Sequence, residues 1–239
     1  MEKKNILVVG ASQGIGAKTV EYLSNNGNTV IMVARNDGKM KEIQKSLRYP
    51  SLTFQYDLHD LEHVEDIFQF CANNDIILHG MVYCVGINRD MPIRINDVDV
   101  MQEVMKVNYM AFVELAKYFF KKKYSLNESS IVVLSSNATK VVSQGMGTYT
   151  SSKAALEAAV QVMAKEMIKR KIRVNAILPA CVDTDMVDNA PFINKAEIEN
   201  VQPFGLIEPE YISYLIEFLL SDKAKYITGA LLPVSAGVI

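Results

Sequence analysis

The chain has 239 residues, of which 49% are hydrophobic and 22% charged, with a formal net charge of -2. This is an ordinary globular composition, long enough for one α/β domain with a large core, and its near-neutral charge gives no electrostatic case for nucleic acid. No apolar run approaches the roughly 18 residues of a membrane span, so no membrane partner is expected.

Two lysines precede an apolar run that Gly10 breaks after five residues, too short for the core of a secretory signal. Cys71, Cys84 and Cys181 lack Cys-x-x-Cys spacing, which argues against a disulfide framework and a zinc site. A reducing cytoplasm is the expected compartment. His59 and His63, at helical spacing beside Asp60, Glu62, Glu65 and Asp66, read as a solvated acidic helix face, and no metal site is expected.

Residues 5–9 are continuously apolar, as in a strand buried on both faces of a parallel sheet. Gly10-Ala11-Ser12-Gln13-Gly14-Ile15-Gly16 follows, and residues 17–24 read as a helix. Glycines in this strand-turn-helix setting allow a tight turn and close backbone approach, and the helix N-terminus offers amides to a diphosphate. Residues 29–33 form a second strand. At its end Ala34 stands where a carboxylate would hold the ribose hydroxyls of NADH, and Arg35 follows, a guanidinium suited to a 2′-phosphate. NADPH is therefore expected over NADH.

A helix over 39–47 leads to a third strand at 52–56, closed by Asp57 and Leu58. Asp57 is placed to accept from an adenine amino group or to cap the next helix, expected over 61–72. Residues 76–86 give an apolar fourth strand ending in Gly86. A long helix is expected over 98–122, with the amide of Asn108 set among apolar residues, either as a satisfied core group or on a polar path to a site. A strand at 131–134 opens onto Ser136, and the run after Tyr149 reads as helix. Strands at 172–178, closed by Pro179, and at 231–234, an edge strand by its Pro233, bracket a helix over 209–220. Residues 182–203, including the apolar Met186, Val187, Phe192 and Ile193, follow a strand's carboxyl end and read as a substrate lid. Alternating strands and helices predict a single Rossmann-like doubly wound parallel sheet of about seven strands spanning residues 1–239.

Tyr149 and Lys153 are four residues apart, so a helix puts both on one face. An ammonium beside a phenol favours phenolate, which predicts a lowered Tyr149 pKa and a group able to exchange protons in turnover. The hydroxyl of Ser136 can hold a substrate oxygen nearby. The spacing alone is common, and Tyr118 with Lys122 repeats it. That copy runs into Lys121-Lys122-Lys123 without a preceding strand and serine, and reads as a solvated helix end.

Together these features resemble the short-chain dehydrogenase/reductase family over essentially the whole chain. Gly10, Gly14 and Gly16 match its cofactor turn. Ser136, Tyr149, Lys153 and Asn108 match its four catalytic positions, and residues 173–179 with Thr184, Asp185 and Met186 resemble its nicotinamide segment. The resemblance implies reversible hydride transfer between NADPH and a carbonyl. Tyr149 is then the acid/base, Lys153 its partner and the holder of the nicotinamide ribose, Ser136 the group that polarises the carbonyl, and Asn108 the support of a water relay. It implies cofactor contacts from Ser12, Gln13, Ile15, Leu58, Gly86, Pro179, Val182 and Thr184, and a homotetramer or homodimer. The segments 208–210 and 226–229 with Gly237 resemble the 3-oxoacyl-carrier-protein reductase branch. A sugar, polyol or small-ketone reductase is the rival substrate class, and an NADP-binding sensor or scaffold the non-enzymatic rival. Tyr83-Cys84-Val85-Gly86 departs from the family's Asn-Asn-Ala-Gly, and Ala180 replaces a usual glycine.

Overall fold

The computed structural model describes residues 3–188 and 198–238. Seven strands, β1 (Asn5–Val9), β2 (Thr29–Ala34), β3 (Ser51–Gln55), β4 (Leu78–Tyr83), β5 (Ser125–Leu134), β6 (Arg173–Pro179) and β7 (Leu231–Val234), form one parallel sheet in the order β3-β2-β1-β4-β5-β6-β7. The chain direction across the sheet reverses between β1 and β4. A crevice opens there at the strands' carboxyl ends, the place where such sheets bind ligands.

Period-two alternation within each strand feeds two cores. From β1, Leu7 and Val9 pack with Phe68, Phe112, Phe119, Leu156 and Val160 on one face. Ile6 and Val8 pack with Val20, Leu23, Met40, Ile212 and Ile216 on the other. The helices are α1 (Gly14–Asn25), α2 (Asp37–Ser46), α3 (Glu65–Asn73), α4 (Val98–Met105), α5 (Ala111–Phe119), α6 (Gly147–Glu166), the short α7 (Asp185–Asp188) and α8 (Ile198–Val201), and α9 (Pro209–Leu220). None is long and apolar enough to cross a membrane among the described residues.

Four local expectations change. The stretch expected as one helix over 98–122 is split by a π-turn at Lys106–Met110, which connects α4 to α5. The helix expected from residue 61 starts at Glu65, because Asp60 accepts the amides of Glu62 and His63 and holds a separate turn. His59 and His63 therefore precede the helix rather than forming one face of it. Their rings pair with Asp57 at 2.8 Å and Asp60 at 2.7 Å. Lastly, β5 begins at Ser125, with a register shift opposite β4 and a left-handed Glu128 (φ 64°) before the apolar run.

Candidate active site

The turn after β1 is shaped by three glycines with different tasks. Gly10 (φ +86°) reverses the chain against the Cys84 backbone, and Gly14 (φ +54°) starts α1 in a left-handed conformation beside Thr184. Gly16 lies so close to the preceding turn that a Cβ there would sit 2.0 Å from the Gly10 carbonyl oxygen. This contact brings the α1 N-terminus against the strand end. No acidic residue occupies the first turn of α1 and Gln13 makes no side-chain cap, so its amides are left for an anion.

The turn forms one wall of a cleft of about 790 Å³. Gly10, Ser12, Gln13, Gly14, Ile15, Gly16, Arg35, Asp57, Leu58, Gly86 and Thr184 all line it. Glycines, helix amides and an exposed guanidinium at the end of β2 are a donor set that fits a dinucleotide phosphate. Pro179 and Val182 are not in the lining. Pro179 ends β6, and Val182 is buried, bridging to Ile207. Asp57 accepts the His59 amide at 3.0 Å, so it caps a turn while facing the cleft. Partial burial works against its charge, but the His59 bonds and the Arg35 guanidinium outweigh it and hold the carboxyl below its usual range. His59, Asn36, Val85 and Val107 also line the cleft. They carry no motif, and their only sequence signal is a place at or just beyond a strand's carboxyl end or in the helical stretch facing it.

Directly behind the Val85–Gly86–Ile87 wall stand the other predicted residues. Lys153, on α6 and 2% exposed, donates to the carbonyls of Leu134 (2.8 Å) and Val85 (3.2 Å) at the ends of β5 and β4. A Cβ on Gly86 would lie 3.1 Å from the Lys153 Nζ and 4.0 Å from the Asn108 Oδ1, so a side chain there would press on the Lys153 ammonium. Burial pushes the Lys153 pKa down to about 8, against the pull of Cys84 and Glu157.

Tyr149 packs one turn earlier, its ring centroid 5.8 Å from the Lys153 Nζ, with the Ser136 side chain nearby. The Ser136 Oγ also accepts the Ala138 amide at 3.1 Å. The expected lowering of the Tyr149 pKa is not found. Burial raises it, the nearby Ser136 hydroxyl offsets part of this, and Asp90 and Cys181 raise it further. The ammonium is aimed at two carbonyls rather than at the phenol.

Asn108 sits inside the π-turn, fully buried, accepting from the Ile87 amide (2.8 Å) and donating to the Ile87 carbonyl (2.9 Å) and Ser152 (2.9 Å). The Tyr83 hydroxyl, from the departure at the end of β4, donates to the Val107 carbonyl in the same turn. Thus Tyr83 takes up a backbone acceptor that the π-turn leaves over. Ala180 donates its amide to Val234 and stands outside the cleft lining. The second Tyr-x-x-x-Lys copy is far less enclosed: Lys122 is exposed and Tyr118 stacks on Phe68. Met186 lines the cleft and Val187 is buried, while Phe192 and Ile193 lie outside the described residues.

A family model described as enoyl-(acyl carrier protein) reductase matches residues 10–239. The 3-oxoacyl-(acyl-carrier-protein) reductase FabG of Rickettsia prowazekii is 31% identical over 243 residues, covering 99% of this chain and 97% of that protein. That of Vibrio harveyi is 28% identical, covering 100% and 98%. A mutant short-chain dehydrogenase/reductase of Serratia marcescens superposes with a TM-score of 0.91 at 24% identity, covering 98% of this chain and 97% of that one. A short-chain type dehydrogenase/reductase of Mycobacterium ulcerans gives 0.90 at 24% identity, covering 99% and 90%. The two solved structures speak for the fold, and the family match and the Rickettsia relative for descent. The chain belongs to the short-chain dehydrogenase/reductase family, an oxidoreductase that uses a nicotinamide cofactor on carbonyl or CH–OH groups.

Proposed function

We propose that this protein reduces a 3-oxoacyl thioester, carried on a pantetheine arm such as that of acyl carrier protein, to the 3-hydroxyacyl thioester with NADPH. The observation that carries the reading is the meeting of Ser136, Tyr149 and Lys153 behind the Gly86 wall of a cleft built for a dinucleotide. Full-length likeness to FabG proteins supports the substrate class.

The Gly10–Gly16 turn and the α1 amides hold the diphosphate, Arg35 the 2′-phosphate, and Asp57 and Leu58 flank the adenine. Gly86 and Thr184 flank the nicotinamide, with Pro179 and Val182 supporting that region by packing. When bound, the cofactor supplies the hydride that reaches the carbonyl carbon. Because burial keeps its pKa high, the Tyr149 phenol carries its proton at neutral pH, which suits delivery to the carbonyl oxygen. Ser136 polarises that oxygen with its hydroxyl. The Lys153 ammonium holds the nicotinamide ribose and stabilises the phenolate left behind. Asn108 fastens Ile87 and from there supports a water path toward Lys153.

Apolar surface near the reaction centre favours an acyl substrate over a sugar. Ile93, 75% exposed, stands where a Cβ on Gly147 would meet it at 2.7 Å, two residues before Tyr149. Arg89 is engaged by Glu103 at 3.2 Å, which leaves the exposed Arg94 as the better basic contact for an acidic carrier. A cytoplasmic homotetramer is part of the same reading. Exposed Ala154, Ala158 and Val162 on α6, with Met101 and Met110 near Asn108, supply small and apolar surface for helix packing.

The test is the initial rate of NADPH oxidation with acetoacetyl-coenzyme A and a carrier-bound 3-oxoacyl thioester, with NADH alongside. The reading predicts kcat/KM at or above about 10⁴ M⁻¹s⁻¹ with NADPH. NADPH binding without thioester reduction would reject the acyl substrate and move the search to sugars, polyols and small ketones.

A further inference from the structure

One buried carboxylate near the reaction centre has no part in the mechanism above. Glu157, 5% exposed, follows Lys153 by one turn of α6, so Tyr149, Lys153 and Glu157 fall on one helix face. Its Oε1 accepts from the Ser135 hydroxyl at 2.7 Å and the Thr139 hydroxyl at 2.7 Å, and its Oε2 meets the Lys140 ammonium at 3.0 Å. These three partners bracket Ser136. The Thr139 hydroxyl lies a further 3.0 Å from the Ser136 carbonyl oxygen.

We infer that Glu157 is a positioning residue, the joint that fixes the Ser136 loop on the helix bearing Tyr149 and Lys153. Ser136 comes from the end of β5 and the other two come from α6. The last backbone bond from this end of β5 to β6 is the Ser135 amide to the Ile177 carbonyl at 2.8 Å, so Ser136 is the first residue beyond the sheet's hold. A buried carboxylate with two hydroxyl donors and a cation resists displacement, since moving either side strands a desolvated charge. The joint thereby converts a loop hydroxyl into one held at a defined distance from the phenol. Misplacement of such a group by about an ångström costs on the order of a hundredfold in rate.

This rests on the role given to Ser136 above, and the experiment separates the two. It is a double-substitution cycle of Glu157→Ala with Ser136→Ala, read as kcat and KM for acetoacetyl-coenzyme A, with NADPH affinity measured by fluorescence. Glu157→Ala alone is expected to lower kcat by about tenfold to a hundredfold with NADPH affinity unchanged. In the Ser136→Ala background, assayed well below the Lys153 pKa of about 8 so that loss of the Glu157 charge leaves that ammonium protonated, it should add no further loss, because its effect passes through that hydroxyl. Glu157→Gln, which keeps an acceptor for both hydroxyls, should stay within about fivefold of the parent. Equal losses with and without Ser136 would overturn the inference.

Should Glu157→Ala fail to fold, Thr139→Val removes one donor at constant shape and enters the same cycle. Full activity in Ser136→Ala would refute the serine's catalytic role instead. The joint is then decided by amide hydrogen exchange at residues 136–140, which Glu157→Ala accelerates if the joint exists and leaves unchanged if it does not.

Discussion

Gly16→Ala probes the step from sequence to cofactor site most sharply. The added Cβ would lie 2.0 Å from the Gly10 carbonyl oxygen and 3.3 Å from the Cys84 Cβ, against an ordinary separation of about 3.5 Å or more. The obstacle is backbone, so no side chain can swing away, and α1 must retreat by more than an ångström from the end of β1. Val20 and Leu23, farther along α1, are fully buried and resist that shift. Overpacking of this kind costs about 1–3 kcal/mol, and a backbone clash belongs at the upper end. For a chain of this length about 3 kcal/mol lowers Tm by about 6–12 °C. The α1 amides move with the helix, so NADPH affinity should fall by about tenfold or more, each tenfold being about 1.4 kcal/mol. Gly38→Ala is the control: it lines the same cleft, sits in α2, and its Cβ meets only the Asn36 Oδ1 at 3.5 Å. There alanine should stabilise by up to about 1 kcal/mol. Thermal melts and NADPH titrations of both variants decide the matter. Gly16→Ala melting and binding NADPH like the parent would refute the close-approach argument.

Three further outcomes are expected. The Lys153 ammonium, with a pKa lowered to about 8, is charged below that pH and neutral above it, so reductive kcat/KM should hold at neutral pH and fall as pH rises through about 8; a profile flat to pH 10 would contradict this. Arg35→Ala should weaken NADPH by about tenfold to a hundredfold, the worth of charged hydrogen bonds, and leave NADH binding alone, as competitive titration would reveal. Tyr83→Phe should strand the buried Val107 carbonyl and destabilise by about 1–3 kcal/mol in denaturant unfolding, whereas a hydroxyl without structural weight would give no change.

Much of this architecture was legible because each strand is a short apolar run between turn residues, and because the glycine turn and Tyr149–Lys153 depend on local spacing. The π-turn was not. Inserting one extra residue into a helix whose neighbours Val104, Val107 and Ala111 are all buried leaves the apolar pattern intact. The start of β5 was hidden for the opposite reason: Ser125 to Ser129 are mostly polar and lie at a register shift rather than in the core stack. Tyr83 looked like the loss of an asparagine, yet its hydroxyl replaces a polar contact that only the folded π-turn creates. Glu157 carries no sequence signal at all, since nothing local indicates that Ser135, Thr139 and Lys140 will close over it. The direction of the Tyr149 shift depends on burial and on where Lys153 points, and neither follows from their spacing.

In the proposed reaction Tyr149 delivers the proton during an NADPH-dependent carbonyl reduction, and this step is open to direct test. Its most direct test compares the parent with Tyr149→Phe in NADPH oxidation by acetoacetyl-coenzyme A, with NADPH binding followed in parallel. Turnover by the parent, none above background in the variant, and largely unchanged NADPH affinity are the expected results. Undiminished turnover without the phenol hydroxyl would contradict this role for Tyr149.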